Sequence, residues 1–180
     1  MFSRPIDFRP FSDYNVRKRT KGGRDIKDNE SKQLTEFIQT YKEIDGLCHN
    51  YAKTHGLSDT VFYVLYALVD RGSAYPQREL CEDWSYPPQT VNSALKTLET
   101  QGVVELIFSP GNRKNKEIHL TDKGRMLAKE IIEPFMEAER SAFFGVEEEY
   151  RRIWLFSVQQ YIAHLNDAVK TIPKQGSQNP

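Results

Sequence analysis

Apolar and polar positions between residues 57 and 125 repeat with two different periods, and each change of period marks a new element. Apolar residues recur every three or four positions between Ser58 and Gly72, which predicts a helix capped by the serine and ended by the glycine. A second, short helix is predicted to start at Pro76. A turn over residues 85–87 then leads into a third helix.

The third helix is predicted to begin at Pro88 and to end before Gly102. Proline suits a first helical position because its missing N–H has no partner there, and glycine suits the left-handed residue beyond a helix end. One narrow stripe is apolar and consists of Val91, Ala94, Leu95 and Leu98. The opposite face carries amides, hydroxyls and one cation, namely Gln89, Asn92, Ser93, Lys96 and Thr100. Such side chains can hydrogen-bond base edges without repelling phosphate, whereas the alternative is an ordinary polar surface helix.

Beyond Gly102 the pattern becomes that of a hairpin. Residues 103–108 are apolar and β-branched, residues 109–112 form a dense turn signal, and residues 118–120 alternate as a half-buried returning strand. Three cations, Arg113, Lys114 and Lys116, therefore gather at the hairpin tip. They can neutralise phosphates or enter a narrow minor groove, while the alternative is charge that protects an exposed strand edge. The polar helix beside the tip favours nucleic-acid binding.

Together these elements predict a mainly α fold with a small β-hairpin wing, a winged helix-turn-helix with flanking dimerisation helices. This arrangement offers one helix to a major groove and the hairpin to the adjacent backbone. The segments TVNSALKTLETQGVV and HLTDKG resemble the MarR (multiple-antibiotic-resistance regulator) family of bacterial transcription factors. The resemblance extends over roughly residues 31–170, and the helix and wing are its specific parts.

The resemblance implies a dimeric repressor or activator that binds a palindromic operator in double-stranded DNA and responds to a small-molecule effector or an oxidant. By the family pattern, the groove side of the helix carries Gln89, Thr90, Asn92, Ser93 and Lys96, and Arg113 or Lys114 takes the position of the wing arginine. Many members have arginine at the position of Ser93 and an acidic residue at that of Asn112. The base preference, and the choice between the two wing cations, are therefore left open.

The flanking helices carry more apolar surface than a small winged module needs. Apolar residues repeat at helical spacing from residue 31 to residue 53, and Thr121 caps another helix that Pro134 is expected to bend or break. A last helix follows Gly145 and repeats Tyr150, Ile153, Trp154, Val158, Tyr161, Ile162 and Leu165. We expect a homodimer interface formed by Tyr150, Trp154, Tyr161, Ile162 and Leu165. Two helix-turn-helix modules that bind paired half-sites need further helices to hold them at the right distance. The alternative is a thicker monomer core.

This organisation predicts four regions. Residues 1–30 form a flexible basic arm, with cations clustered between residues 17 and 24. Residues 57–125 form the DNA-binding module between dimerisation helices over residues 31–56 and 126–172. Residues 173–180 form a frayed tail.

Charge and composition narrow the class of function. The chain has 180 residues, enough for one core, and its 25 basic and 25 acidic residues give no net charge, which argues against indiscriminate nucleic-acid binding. Basic charge is local, since residues 108–125 hold five Lys or Arg against two Asp or Glu. No secretory segment and no apolar run long enough for a bilayer is apparent, so we expect a cytoplasmic protein without membrane contact.

Catalytic chemistry is not indicated. The four histidines are dispersed and no nucleophile or phosphate-binding motif is present, so we expect no enzyme, no metal and no cofactor. Cys48 and Cys81 make no disulfide framework, and Cys48 as an oxidant sensor is a weaker hypothesis than a buried thiol. The main alternative function is a winged-helix module that binds protein, which should expose apolar anchors on the polar helix face or at the hairpin tip; we expect none there.

Overall fold

The structure is a computed structural model that describes residues 23–72, 74–109 and 112–173, and of residues 23–28, 109 and 112–115 it describes the backbone alone. The chain divides into two compact units, residues 1–48 and residues 49–180. Helices and strands follow in the order α1 (Gly23–Thr54), α2 (Asp59–Arg71), β1 (Tyr75–Pro76), α3 (Gln77–Asp83), α4 (Pro88–Thr100), β2 (Val104–Ser109), β3 (Asn112–Leu120), α5 (Asp122–Leu127), a π-helical segment (Ala128–Ile132), α6 (Glu133–Gly145) and α7 (Glu148–Lys170).

Helix α1 begins in the first unit and ends in the second. It starts at Gly23, so residues 23–30, which we expected in the flexible arm, are helical. The rest of the expected arm, residues 1–22, and residues 174–180 of the expected tail lie outside the described residues.

The core of the second unit lies where α2 packs on α4. The predicted caps of α2 are confirmed, because Ser58 Oγ accepts from the Val61 N–H at 3.4 Å and Gly72 follows the helix with a φ of 67°. The predicted apolar stripe of α4 is confirmed as well. The largest fully buried side chains are Phe62, Val64 and Leu65 of α2, Val91, Leu95 and Leu98 of α4, Leu80 of α3, Ile118 of β3, Val103 and Ile132. Their burial fixes α4 with its polar face outward.

The sheet has three antiparallel strands in the order β1-β3-β2, and β1 was not predicted. Tyr75 of β1 pairs with Ile118 of β3. Its hydroxyl donates to Asp83 Oδ2 at 2.7 Å, and the Arg71 guanidinium lies 4.3 Å from its ring centre. Burial and the bond to Asp83 raise the pKa of the Tyr75 hydroxyl, so it stays a donor at neutral pH. These contacts join the end of α2 to α3.

Where we expected Pro134 to bend or break the helix, the helix changes type just before the proline. Residues 128–132 are π-helical, and the Glu133 N–H donates to the Ala128 carbonyl, five residues back. Pro134 lies in the first turn of α6, which its missing N–H allows. The Tyr51 hydroxyl donates to the Ile131 carbonyl at 2.8 Å. The irregular segment is therefore held by α1 through the Tyr51 hydroxyl.

The end of α4 and the start of α5 are joined by a set of contacts that we call the Thr121–Gly124 junction. Thr121 Oγ1 accepts from the Gly124 N–H at 3.0 Å and donates to the Gly102 carbonyl at 2.7 Å. The Thr121 N–H donates to the Val103 carbonyl at 3.1 Å, and Lys123 Nζ donates to the Gln101 carbonyl at 2.8 Å. A Cβ on Gly124 would lie 2.0 Å from the Val103 oxygen, so only glycine fits there.

We expect Gly124→Ala to lower the free energy of unfolding by about 1–3 kcal/mol, because the added methyl group meets backbone that must move. Urea unfolding followed by circular dichroism measures the change. Gly145→Ala is the matched control: it lies at the end of α6, and its added Cβ would have no neighbour within 4 Å. Equal stability of the Gly124→Ala variant and the wild type would contradict the close approach.

Candidate nucleic-acid interface

The polar face of α4 is open to solvent. Gln89, Asn92, Ser93 and Lys96 are exposed, and Thr90 is half-buried. Further along the helix, the Thr97 hydroxyl donates to the Ser93 carbonyl at 3.1 Å and the Thr100 hydroxyl donates to the Lys96 carbonyl at 2.7 Å. These two hydroxyls use their protons within the helix. The groups that remain able to donate outward are therefore concentrated in the first half of α4.

A groove of about 620 Å³ runs between the start of α2 and one side of α4. Gln89, Thr90 and Ser93 line it, together with residues 56–58. Asn92 and Lys96 are not among its lining residues. The groove contains hydroxyls and amides but no charged side chain, so it can form hydrogen bonds to a ligand without attracting it electrostatically.

On the other side of α4, Asn92 has a partner that the sequence analysis did not identify. Gln77, at the start of α3, donates a hydrogen bond from Nε2 to Asn92 Oδ1. Nothing in the spacing of the two residues marks them as neighbours, because they meet only when α3 packs on α4. Gln77 therefore fixes the orientation of the Asn92 amide.

We expected the wing cations to come before the returning strand. They lie within it, because β3 begins at Asn112. Phe108 pairs with Lys116, whereas the next residue of β2, Ser109, pairs with Asn112. Residues 113–115 are therefore extra on β3 and form a bulge in the ladder. This bulge contains Arg113 and Lys114, whose side chains lie outside the described part of the chain, as do residues 110 and 111 of the predicted turn.

The wing also carries solvent-exposed apolar side chains, although we expected none at its tip. Phe108 is 54% exposed and Ile107 is 45% exposed. Strand β2 lies at the edge of the sheet and extends past the core, so its last residues lose the cover that Val104 has. The sequence pattern predicted an apolar strand, but it did not show how far this strand extends beyond the hydrophobic core.

The cysteines and histidines form no common site. Cys48 is buried and Cys81 is half-buried, and burial raises the pKa of the Cys81 thiol, which disfavours the reactive thiolate. His49 Nδ1 lies 3.0 Å from both carboxylate oxygens of Asp59. Among the described residues, no group of three or more His, Cys, Asp or Glu side chains could hold a metal ion. No described helix has the length and apolar character that a bilayer crossing requires.

Comparison with known proteins gives one family. Residues 55–114 match the model of the MarR family. Among solved structures, NMB1585, a MarR family regulator from Neisseria meningitidis, is similar with a TM-score of 0.62 and 26% identity, over 77% of this chain and 96% of that one. No curated protein matches the chain in a sequence comparison.

Two similar structures contain DNA. A putative MarR family regulator from Listeria monocytogenes, complexed with 26mer DNA, has a TM-score of 0.60 and 21% identity over 79% of this chain and 97% of that one. The S. aureus MepR–DNA complex has a TM-score of 0.59 and 17% identity over 73% of this chain and 96% of that one. At these identities the likeness concerns the fold. The predicted winged helix-turn-helix is thereby confirmed.

Proposed function

We propose that the chain is a transcriptional regulator of the MarR family that binds double-stranded DNA of specific sequence as a homodimer, which the family match over residues 55–114 and the similarity to NMB1585 support. The observation that carries the proposal is the position of α4, whose apolar side is buried while its polar side is open beside a cationic wing strand. The fold is shared with two proteins solved as DNA complexes, from S. aureus and Listeria monocytogenes. Paired half-sites in a palindromic operator match a two-fold dimer.

The proposed DNA contacts are of two kinds: contacts to base edges, which read the sequence, and contacts to the backbone, which position the protein. Gln89, Thr90, Asn92 and Ser93 carry short polar groups that can reach base edges in a major groove. Lys96 and Lys116, with Arg113 and Lys114 of the bulge, supply charge for phosphates or for a narrow minor groove. Because the chain has no net charge, electrostatic attraction to DNA must come from local clusters of cations such as this one.

We expect Gln89→Ala and Ser93→Ala to change which operator bases are preferred, at a cost of about 1–3 kcal/mol for each lost base contact. Lys116→Ala should instead weaken binding to most sequences and lower the salt slope by about one unit. Fluorescence anisotropy on specific and scrambled duplexes across a salt series separates the two effects. Lys170→Ala is the control, because this cation lies at the end of α7 and pairs with Asp167 at 3.0 Å. Unchanged affinity and slope in every variant would contradict the proposal.

Asn92 is a special case among the reading residues. A bidentate contact to adenine needs both the carbonyl oxygen and the NH2 group of an asparagine. In this structure the bond from Gln77 takes one of the two acceptor sites of the Asn92 oxygen and competes with an outside donor, whereas Asn92 keeps its free N–H donors. These match acceptors such as the O6 and N7 of guanine or the O4 of thymine. We infer that Gln77 is a positioning residue that disfavours adenine opposite Asn92.

Loss of Gln77 should therefore move the base preference toward adenine. Gln77→Ala frees the Asn92 oxygen, and selection of bound duplexes from a random pool should then recover more adenine at one position in each half-site. Arg78→Ala is a suitable control, because Arg78 is the next residue of α3 and pairs with Glu82 within the helix at 2.8 Å. An identical selected sequence for wild type and Gln77→Ala would show that the hydrogen bond plays no part in reading.

The proposed dimer rests mainly on α7, in which no residue is buried. Its predicted stripe is open in the single chain, with Trp154 at 48% and Ile162 at 57% exposure, and Tyr150, Tyr161 and Leu165 are exposed as well. The start of the helix is held against α6, because Arg151 Nη1 donates to the Phe144 carbonyl at 3.2 Å. Apolar stripes of this size seldom stay in water, so we propose that a second copy covers them.

We expect a dimer mass by light scattering at micromolar concentration, and partial or complete loss of it in Trp154→Glu and Ile162→Glu. A charge introduced at an apolar interface is desolvated without a partner, and an obligate dimer loses folding stability with association. Ala163→Glu adds the same charge on the polar side of α7, where the neighbours at three and four positions are Gln159, Gln160, Asn166 and Asp167, and should leave the mass unchanged. A monomer mass for the wild type would refute the dimer.

The remaining parts of the proposal follow from this function. Residues 57–125 form the DNA-binding module, residues 31–56 and 126–172 form the dimerisation helices, and a small-molecule effector alters DNA affinity. A regulator of this kind acts on the chromosome in the cytoplasm without catalysis, and the proposal includes no metal or cofactor. The exposed Phe108 and Ile107 favour one second candidate, a protein-binding winged helix. The DNA selection above discriminates between the two.

A further inference from the structure

The exposed ring of Phe108 is not used by any DNA contact proposed so far. Phe108 is the next-to-last residue of β2 and is absent from the hydrophobic core. Lys116 is its partner in the ladder, and the ammonium nitrogen lies 5.4 Å from the ring centre. A cation at this distance is attracted to the ring face, so the two side chains form one unit.

The two faces of the wing differ in charge beyond the core. Because side chains alternate along a strand, Phe108 shares its face with Leu106 and, across the ladder, with Lys116. This face belongs to the core at its base and ends in an aromatic ring and a cation. The opposite face carries Glu105 and Ile107 of β2 and Glu117 and His119 of β3, with Glu117 Oε2 3.4 Å from His119 Nε2.

We propose that the wing contacts DNA with the Phe108–Lys116 face, where the ammonium pairs with a phosphate and the ring packs on the adjacent deoxyribose. The inference rests on the proposed function and names the side of the hairpin that performs it. Phosphates are repelled by the two carboxylates of the opposite face and attracted by Lys116. Deoxyribose offers C–H groups beside each phosphate, so it can cover an aromatic ring that otherwise stays in water.

Neighbouring residues of β2 supply a matched pair of variants. Phe108 and Ile107 are both about half exposed, at 54% and 45%, and lie on opposite faces of one strand. Truncating either one removes apolar surface without opening the core. Only truncation of the side chain that contacts DNA should change the affinity for DNA.

The experiment uses the full chain and a duplex that the wild type recovers from a random pool of duplexes of about 30 base pairs, long enough for two half-sites. Phe108→Ala should weaken binding at least about fivefold with an unchanged salt slope, since the ring carries no charge. Ile107→Ala should stay within about twofold of the wild type. Glu105→Gln should also leave affinity unchanged. If Phe108→Ala unfolds, Phe108→Thr keeps the preference for a strand and should show the same loss.

Different failures have different meanings. Recovery of no duplex by the wild type would overturn the proposed function itself. Tight binding by the wild type with equal binding by Phe108→Ala would overturn only the inference about the wing. Weaker binding by Ile107→Ala, or stronger binding by Glu105→Gln, would show that the opposite face meets the DNA.

Discussion

The close approach of Gly124 to the Val103 carbonyl is the constraint on which the arrangement of the proposed interface depends. It allows Thr121 to cap α5 and at the same time to bond the Gly102 carbonyl, just past the end of α4. The same residues lie at the base of both wing strands. The contact between Gly124, which has no side chain, and the Val103 carbonyl therefore sets the position of α4, the hairpin and α5 relative to each other. A methyl group at this point would separate all three.

The junction also makes α4 sensitive to the helices that follow it. Helix α5 passes through the π-helical segment into α6 without a loop, and Tyr51 holds that segment by its Ile131 carbonyl. A shift of α5 must move the carbonyls of Gln101 and Val103 or break their hydrogen bonds. A ligand that altered α6 could in this way change the presentation of α4 to DNA, because packed elements move as units. The contacts give a small-molecule effector a physical route to DNA affinity.

Local chemistry explains which parts of the fold could be predicted from sequence. Caps at Ser58 and Thr121 and the stripe of α4 depend on neighbours within a few residues, so their patterns are readable. Strand β1, the bulge at residues 113–115 and the Gln77–Asn92 bond depend on partners distant in sequence. A two-residue strand containing proline resembles a helix start, and nothing local shows that it pairs with β3. The exposure of Phe108 was missed for the same reason, since apolar strands are normally covered.

A chain without net charge must gain DNA affinity from the placement of its charges. In the wing, Lys116 lies on one face while Glu105 and Glu117 lie on the other, so a phosphate approaching from the wrong side is repelled. The first half of α4, residues 88–94, has no charged side chain, so its proposed base contacts depend on hydrogen-bond geometry. A wrong base there leaves hydrogen-bond donors without partners. Because the overall electrostatic attraction to DNA is weak, this loss is a large share of the binding free energy. The low charge therefore favours discrimination between sequences over tight binding to all of them.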